Sequence, residues 1–147
     1  MDFLKSDVAS VFCNPALPHL LQGYAEECAN PYLSKPNPDS QTYLAIESSG
    51  ILDVYSVVDD GSLVGFATVL RSIYPHYGLP MTTVESIYVS KEARAKGAGG
   101  GLLSLIEQQA TGVGLFVSAP VGSQIERVLH GRRYIKTNSA FFLPRSA

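Results

Sequence analysis

Apolar residues recur at Leu17, Leu20, Leu21, Tyr24 and Cys28, the stripe of an amphipathic helix, with Asn14-Pro15 opening it and Asn30-Pro31 closing it. Pro31 to Ser40 holds three prolines and predicts a loop. Gln41 to Ser48, stopped by Gly50, predicts a second short helix. The pattern then changes to apolar, β-branched runs at Ile51 to Val58 and Leu63 to Tyr74, with Asp59-Asp60-Gly61-Ser62 between them. That order predicts an antiparallel hairpin with an Asp-Gly tip. After the turn-rich segment from Tyr74 to Pro80, Thr83 to Ser90 predicts a third strand. Leu102, Leu103, Ile106 and Ala110 return to helical spacing, and Gly114 to Ala119 predicts another strand. Ser123-x-x-Glu126 is a capping box, opening a helix with Ile125, Val128 and Leu129 inward and Gly131 as its stop.

A chain of 147 residues implies one α/β domain spanning 1–147. Hydrophobic residues at 46% against 16% charged exclude a disordered chain. Lys+Arg 11 against Asp+Glu 13 gives a net charge of −2, which argues against an extensive nucleic-acid surface and for a small partner. No apolar run approaches the ~18 residues of a membrane span, and no leader pattern is present, so a cytoplasmic protein with no membrane partner is expected. Cys13 and Cys28 form no CxxC, and His19, His76 and His130 are scattered, so no metal site is expected. Both cysteines read as small core residues in a reducing compartment.

The informative stretch runs from Thr83 to Thr111: a strand, then Arg94-Ala95-Lys96-Gly97-Ala98-Gly99-Gly100-Gly101, then a helix. Each glycine in a helix's first turn costs roughly 0.5–1 kcal/mol relative to alanine, so three in a row imply a close approach to that backbone. A helix start offers unpaired N–H groups and the positive end of the dipole. Flanked by Arg94 and Lys96, it suits a phosphate or diphosphate. The dinucleotide fingerprint fails, because Leu102 stands where its third glycine belongs and a hairpin precedes it. The P-loop fails as well, having no Gly-Lys-Ser or Gly-Lys-Thr.

The run Arg94-x-x-Gly97-x-Gly99 resembles the (Gln/Arg)-x-x-Gly-x-(Gly/Ala) signature of the GCN5-related N-acetyltransferase (GNAT) superfamily. Its context is similar too: hairpin, strand, signature helix, strand, short helix and terminal strand follow in the family's order from Ile51 to Leu143. The resemblance implies a mostly antiparallel, twisted central sheet, splayed into a V between its third and fourth main strands, with helices on both faces. It implies acetyl-CoA as cosubstrate. The diphosphate would rest on Arg94, Ala95, Lys96, Gly97, Ala98, Gly99 and Gly100, and the pantetheine arm would pair with Ile87, Tyr88 and Val89. Many members end the last helix with a tyrosine, four residues before a Gly-Phe pair, that protonates the departing thiolate. Aligning Arg133-Tyr134 on that pair puts Leu129 at the position, and a one-residue shift puts His130 there.

Acetyl transfer to an amine needs a base for the ammonium and a donor for the oxyanion. Glu85 is the only carboxylate on the predicted central strand and shares parity with Ile87 and Val89. In a low-dielectric slot its pKa would rise toward neutrality, as a base requires. The alternative is a solvated carboxylate, or one paired with Arg71 or Lys91. The backbone N–H of Tyr88 or Val89 is the expected oxyanion donor, on a strand edge opened by the splay. The Pro31–Ser40 and Tyr74–Pro80 loops are expected to line the acceptor's side. The reading is an N-acetyltransferase acting on a small-molecule or peptide amine in a ternary complex, and a homodimer is compatible with it. The alternatives are a catalytically silent CoA-binding module and a nucleotide-phosphate enzyme using the same anion site.

Overall fold

In the computed structural model, which describes residues 1–145, five strands form one sheet in chain order. They are β1 (Asp2–Ser6), β2 (Leu52–Asp59), β3 (Ser62–Tyr74), β4 (Leu79–Val89) and β5 (Leu115–Val117). The first four pair antiparallel, and β5 runs parallel to β4. The β2–β3 turn forms where Asp-Gly predicts it: Asp60 and Gly61 have φ of 48° and 77°, the positive pair a two-residue hairpin turn requires.

The described residues form six helices: α1 (Val8–Phe12), α2 (Leu17–Cys28), α3 (Ser40–Ser48), α4 (Lys91–Arg94), α5 (Ala98–Gln109) and α6 (Gln124–His130). On one face α5 buries Leu102 and Ile106 with Val57, Ala67, Val69, Val84 and Val89. On the other, α1 and α2 bring Val8, Val11, Leu17 and Leu20 to Val54, Phe66 and Tyr88. Full burial of each such side chain contributes about 1.5–3 kcal/mol, so both faces hold the sheet. The α2 helix lies so close to β4 that a Cβ on Gly23 would run into the Tyr88 hydroxyl. Among the described residues no helix is long and apolar enough to cross a membrane.

The expected splay lies between β4 and β5. Only Thr82, Thr83 and Val84 have partners on β5, so Glu85 to Val89 have no strand on their outer side.

Elsewhere the boundaries differ from expectation. The α2 helix begins at Leu17, with Pro18 rather than Pro15 in its first turn, because Asn14 and Cys13 are taken up in ending α1. The third main strand starts at Leu79, since the turn at Tyr74–Gly78 is tight enough for β3 and β4 to pair from Tyr74↔Leu79 onward. The strand expected at Gly114–Ala119 is trimmed to Leu115–Val117. Among the described residues no strand forms after α6: β5 is three residues long and offers little edge to extend. Ile135, Phe141 and Leu143 are exposed there, and Phe142 stacks on Tyr32 at 5.9 Å. Of the cysteines, Cys28 is half-buried and Cys13 is exposed, so only Cys28 approaches the core role expected of both.

Candidate active site

The start of α5 is bare. Gly97 caps it in the left-handed region, with φ 85° and no side chain to accept from the helix. The first helical bond is Gly101 N–H to Gly97 O at 3.0 Å. The N–H groups of Ala98, Gly99 and Gly100 precede it, and among the described residues none has a partner.

The glycines here answer different needs. Gly97 is required by its φ, which disfavours any side chain. A Cβ on Gly99 would meet nothing within 4 Å, so no packing of the protein's own calls for glycine at that position. At Gly100 the nearest atom is Arg132 Nη2 at 3.5 Å, and the same nitrogen donates to the Gly100 carbonyl at 2.9 Å. Gly101 departs from expectation: a Cβ there would strike the Phe3 ring of β1, so packing accounts for it.

The basic flanks are committed to the protein. Arg94 donates through Nε to the Val89 carbonyl at 2.8 Å and through Nη1 to Gln124 Oε1 at 3.0 Å. Its guanidinium also pairs with Glu27 at 2.8 Å and lies over the Tyr88 ring at 5.2 Å. Arg94 therefore ties the end of β4 to α2 and α6, where the sequence suggested a free cation beside a phosphate. Lys96 is likewise paired, with Asp59 at 2.6 Å, which holds that carboxyl below its usual range and the amine above it. Ala95 sits in the turn between α4 and α5. What α5 presents to an anion is chiefly backbone N–H and dipole.

Glu85 stands on a bulge. Thr68 pairs with Ser86 and Val69 with Val84, which leaves Glu85 the extra residue. This breaks the parity expected with Ile87 and Val89: those two belong with the α5 face, whereas Glu85 reaches Tyr43 of α3 on the opposite face. Glu85 is exposed, not enclosed in a low-dielectric slot. Neither expected cation pairs with it, as Arg71 is bound to Asp53 at 3.0 Å and Lys91 to Glu27 at 3.6 Å. Its Oε2 accepts from Tyr43 Oη at 2.8 Å and Thr68 Oγ1 at 2.5 Å. Ser86 Oγ lies 2.6 Å from Thr68 Oγ1, and because the single Thr68 proton goes to Glu85, Ser86 is the donor. Burial first, then the bond to Glu85, pushes the Tyr43 phenol well above its ordinary range, so it stays a proton donor near neutral pH.

Glu85, Thr68 and Ser86 meet a groove of about 430 Å³ enclosed by α1, α2, the segment 29–38, α3 and the sheet. Leu33, Ser34, Pro36, Asn37 and Pro38 of the Pro31–Ser40 loop line it. The Tyr74–Pro80 loop does not. Tyr74 stacks on Tyr77 at 5.2 Å and on Phe116 at 6.4 Å, so its rings cover one another and β5. His130 is also outside the groove: it is exposed at the end of α6, with Nε2 4.0 Å from Glu126. Leu129, the other candidate position, is buried. Sequence reasoning missed Tyr43 and Thr68. No local signal marks either, because they meet Glu85 only through the α3 packing and the β3–β4 register.

The acetyltransferase (GNAT) family profile matches residues 17–123. No protein of curated function matches the chain. Among solved structures, a ribosomal-protein-alanine N-acetyltransferase from Brucella melitensis biovar Abortus 2308 is 20% identical, with TM-score 0.68 and 99% of each chain covered. An aminoglycoside acetyltransferase from an uncultured soil metagenomic sample, in complex with sisomicin, is 13% identical, with TM-score 0.73, covering 99% of this chain and 96% of that one. An aminoglycoside antibiotic 6'-N-acetyltransferase from Acinetobacter haemolyticus is 13% identical, with TM-score 0.65, covering 100% and 99%. At these identities the likeness is one of fold. The profile spans most of the chain and takes in the bare helix start and the open β4 edge: this chain belongs to the GNAT acetyltransferase family.

Proposed function

We propose that the protein transfers the acetyl group of acetyl-CoA to a primary amine, by direct attack while both are bound. One juxtaposition carries the reading: three unpartnered N–H groups at the start of α5 follow a β4 edge that is open from Glu85 to Val89, and Glu85 itself meets a groove. The N–H groups of Ala98, Gly99 and Gly100 would hold the diphosphate, on a loop that Arg94 to Gly97 shape through their own bonds within the protein. The empty space at the Gly99 Cβ position supports such an approach. The outer edge of Ile87, Tyr88 and Val89 would pair with the pantetheine arm as an added strand. Acetyl-CoA, when bound, supplies an activated acyl group on a good leaving thiolate.

Arg94 acts on this site by position: it holds the Val89 carbonyl and the end of α4 in place. Glu85 takes a proton from the acceptor ammonium, directly or through water, and the neutral amine then attacks the thioester carbonyl; the C–S bond breaks, and the thiolate leaves to take its proton from solvent. Tyr43 and Thr68 fix the orientation of that carboxylate by donating to Oε2. The N–H of Tyr88 or Val89 faces the developing oxyanion. His130, outside the groove, has no part in these steps.

The test is release of free thiol from acetyl-CoA with a panel of primary amines. Amine-dependent release with an N-acetylated product is expected. Binding of CoA with no turnover of any amine would instead mark a silent CoA-binding module.

A further inference from the structure

The groove that holds Glu85 has a lining that discriminates among amines. We infer that the acceptor is a primary monoamine on an apolar or aromatic body, not a polycation. This rests on the acetyl-transfer reading above and names its substrate class.

Glu85 is the one charged residue among those lining the groove. Around it stand two ring pairs, Phe12 with Tyr43 at 5.2 Å and Tyr24 with Phe66 at 6.4 Å, and leucines and prolines continue the wall. The carboxylate itself is asymmetric. Oε2 receives both hydroxyls, and Oε1 receives no hydrogen bond among the described residues, so one ammonium has one oxygen to meet. A second ammonium drawn against these apolar walls would lose part of its hydration and find no second carboxylate among the lining residues.

The surroundings do not supply the missing acid. Glu27 is bound to Arg94 and Lys91, and Glu47 accepts from the Val8 N–H at 2.9 Å. Asp39, beside the lining Pro38, is engaged in capping α3, accepting from the Gln41 and Thr42 N–H groups and the Thr42 hydroxyl. Lys35 has the wrong sign for a polycation and lines an adjoining depression that shares Leu21, Pro36 and Asn37 with the groove. A volume of about 430 Å³ admits a small ring on a short chain. The apolar walls reward such a body and give hydroxyl-rich amines few partners.

The test compares phenethylamine, ethanolamine and sisomicin as acceptors, with calorimetric binding of each amine alone as a parallel readout. Phenethylamine is expected to exceed both others by about tenfold or more in kcat/KM and in affinity. Leu33→Asp, at a lining residue 59% exposed and so safe for the fold, adds a second carboxylate and should raise the sisomicin-to-phenethylamine ratio several-fold. A preference for sisomicin or ethanolamine, with acetylated product formed, overturns this inference and leaves acetyl transfer standing. Selective phenethylamine binding without turnover upholds the groove chemistry and overturns the transfer reading. No binding and no turnover of any of the three overturns this inference, and acetyl transfer is then judged on the wider amine panel alone.

Discussion

The start of α5 and the floor of the groove are built from opposite materials. At α5 the binding groups are backbone N–H, freed because Gly97 caps the helix with no side chain. At Glu85 they are side chains, brought from α3 and β3 to a single carboxylate oxygen on β4. A backbone site needs side chains kept away and tolerates change around it. A side-chain site depends on register and packing far along the chain, so the same fold can keep its first site while changing what the second one takes.

Substitutions at the two regions should fail in different ways. The largest effect is expected for Gly99→Glu, which puts bulk and negative charge at the helix start. CoA affinity should fall by about a hundredfold or more, with the melting curve nearly unchanged because the added side chain enters open space. Titration calorimetry and a thermal melt together check this. Next is Glu85→Gln, which keeps the shape and removes the base: kcat should fall about 10²-fold or more while CoA affinity stays the same. An equal loss in both quantities would merge the two regions that the structure separates.

Two smaller effects sharpen the contrast. Gly101→Val should cost about 1–3 kcal/mol of stability by striking the Phe3 ring, measured by denaturant unfolding. Phe3→Ala in the same chain should return part of that loss, which ligand contact at Gly101 would not explain. His130→Ala should change kcat by less than about twofold, since an exposed residue outside the groove touches no reacting group. A larger drop in steady-state kinetics would return His130 to the candidates for thiolate protonation.

These contrasts also explain what the sequence reveals. The Asp60-Gly61 turn and the glycine helix are legible because each signal is local: two positive φ angles in one case, a side-chain-free first turn in the other. The short elements at the amino end are harder. β1 is an edge strand of five residues with no clean alternation, and α1 is a single turn whose one mark is Asp7 accepting from the Ser10 N–H at 2.7 Å. The facing of Glu85 is lost to period-two reasoning because one bulged residue re-aims the side chain. Arg94 reads as a free cation until folding brings Glu27 and Gln124 to it. The terminal strand came from the family order and needs an edge longer than the three residues of β5.

The central claim is that the bare start of α5 and the open edge of β4 together hold one ligand, a diphosphate joined to a pantetheine arm. Calorimetric competition between CoA and ATP tests it most directly, because both carry linked phosphates and only one carries the arm. The account predicts that CoA binds and that ATP at equal concentration fails to displace it. ATP binding as tightly as CoA, at the same site, would contradict it.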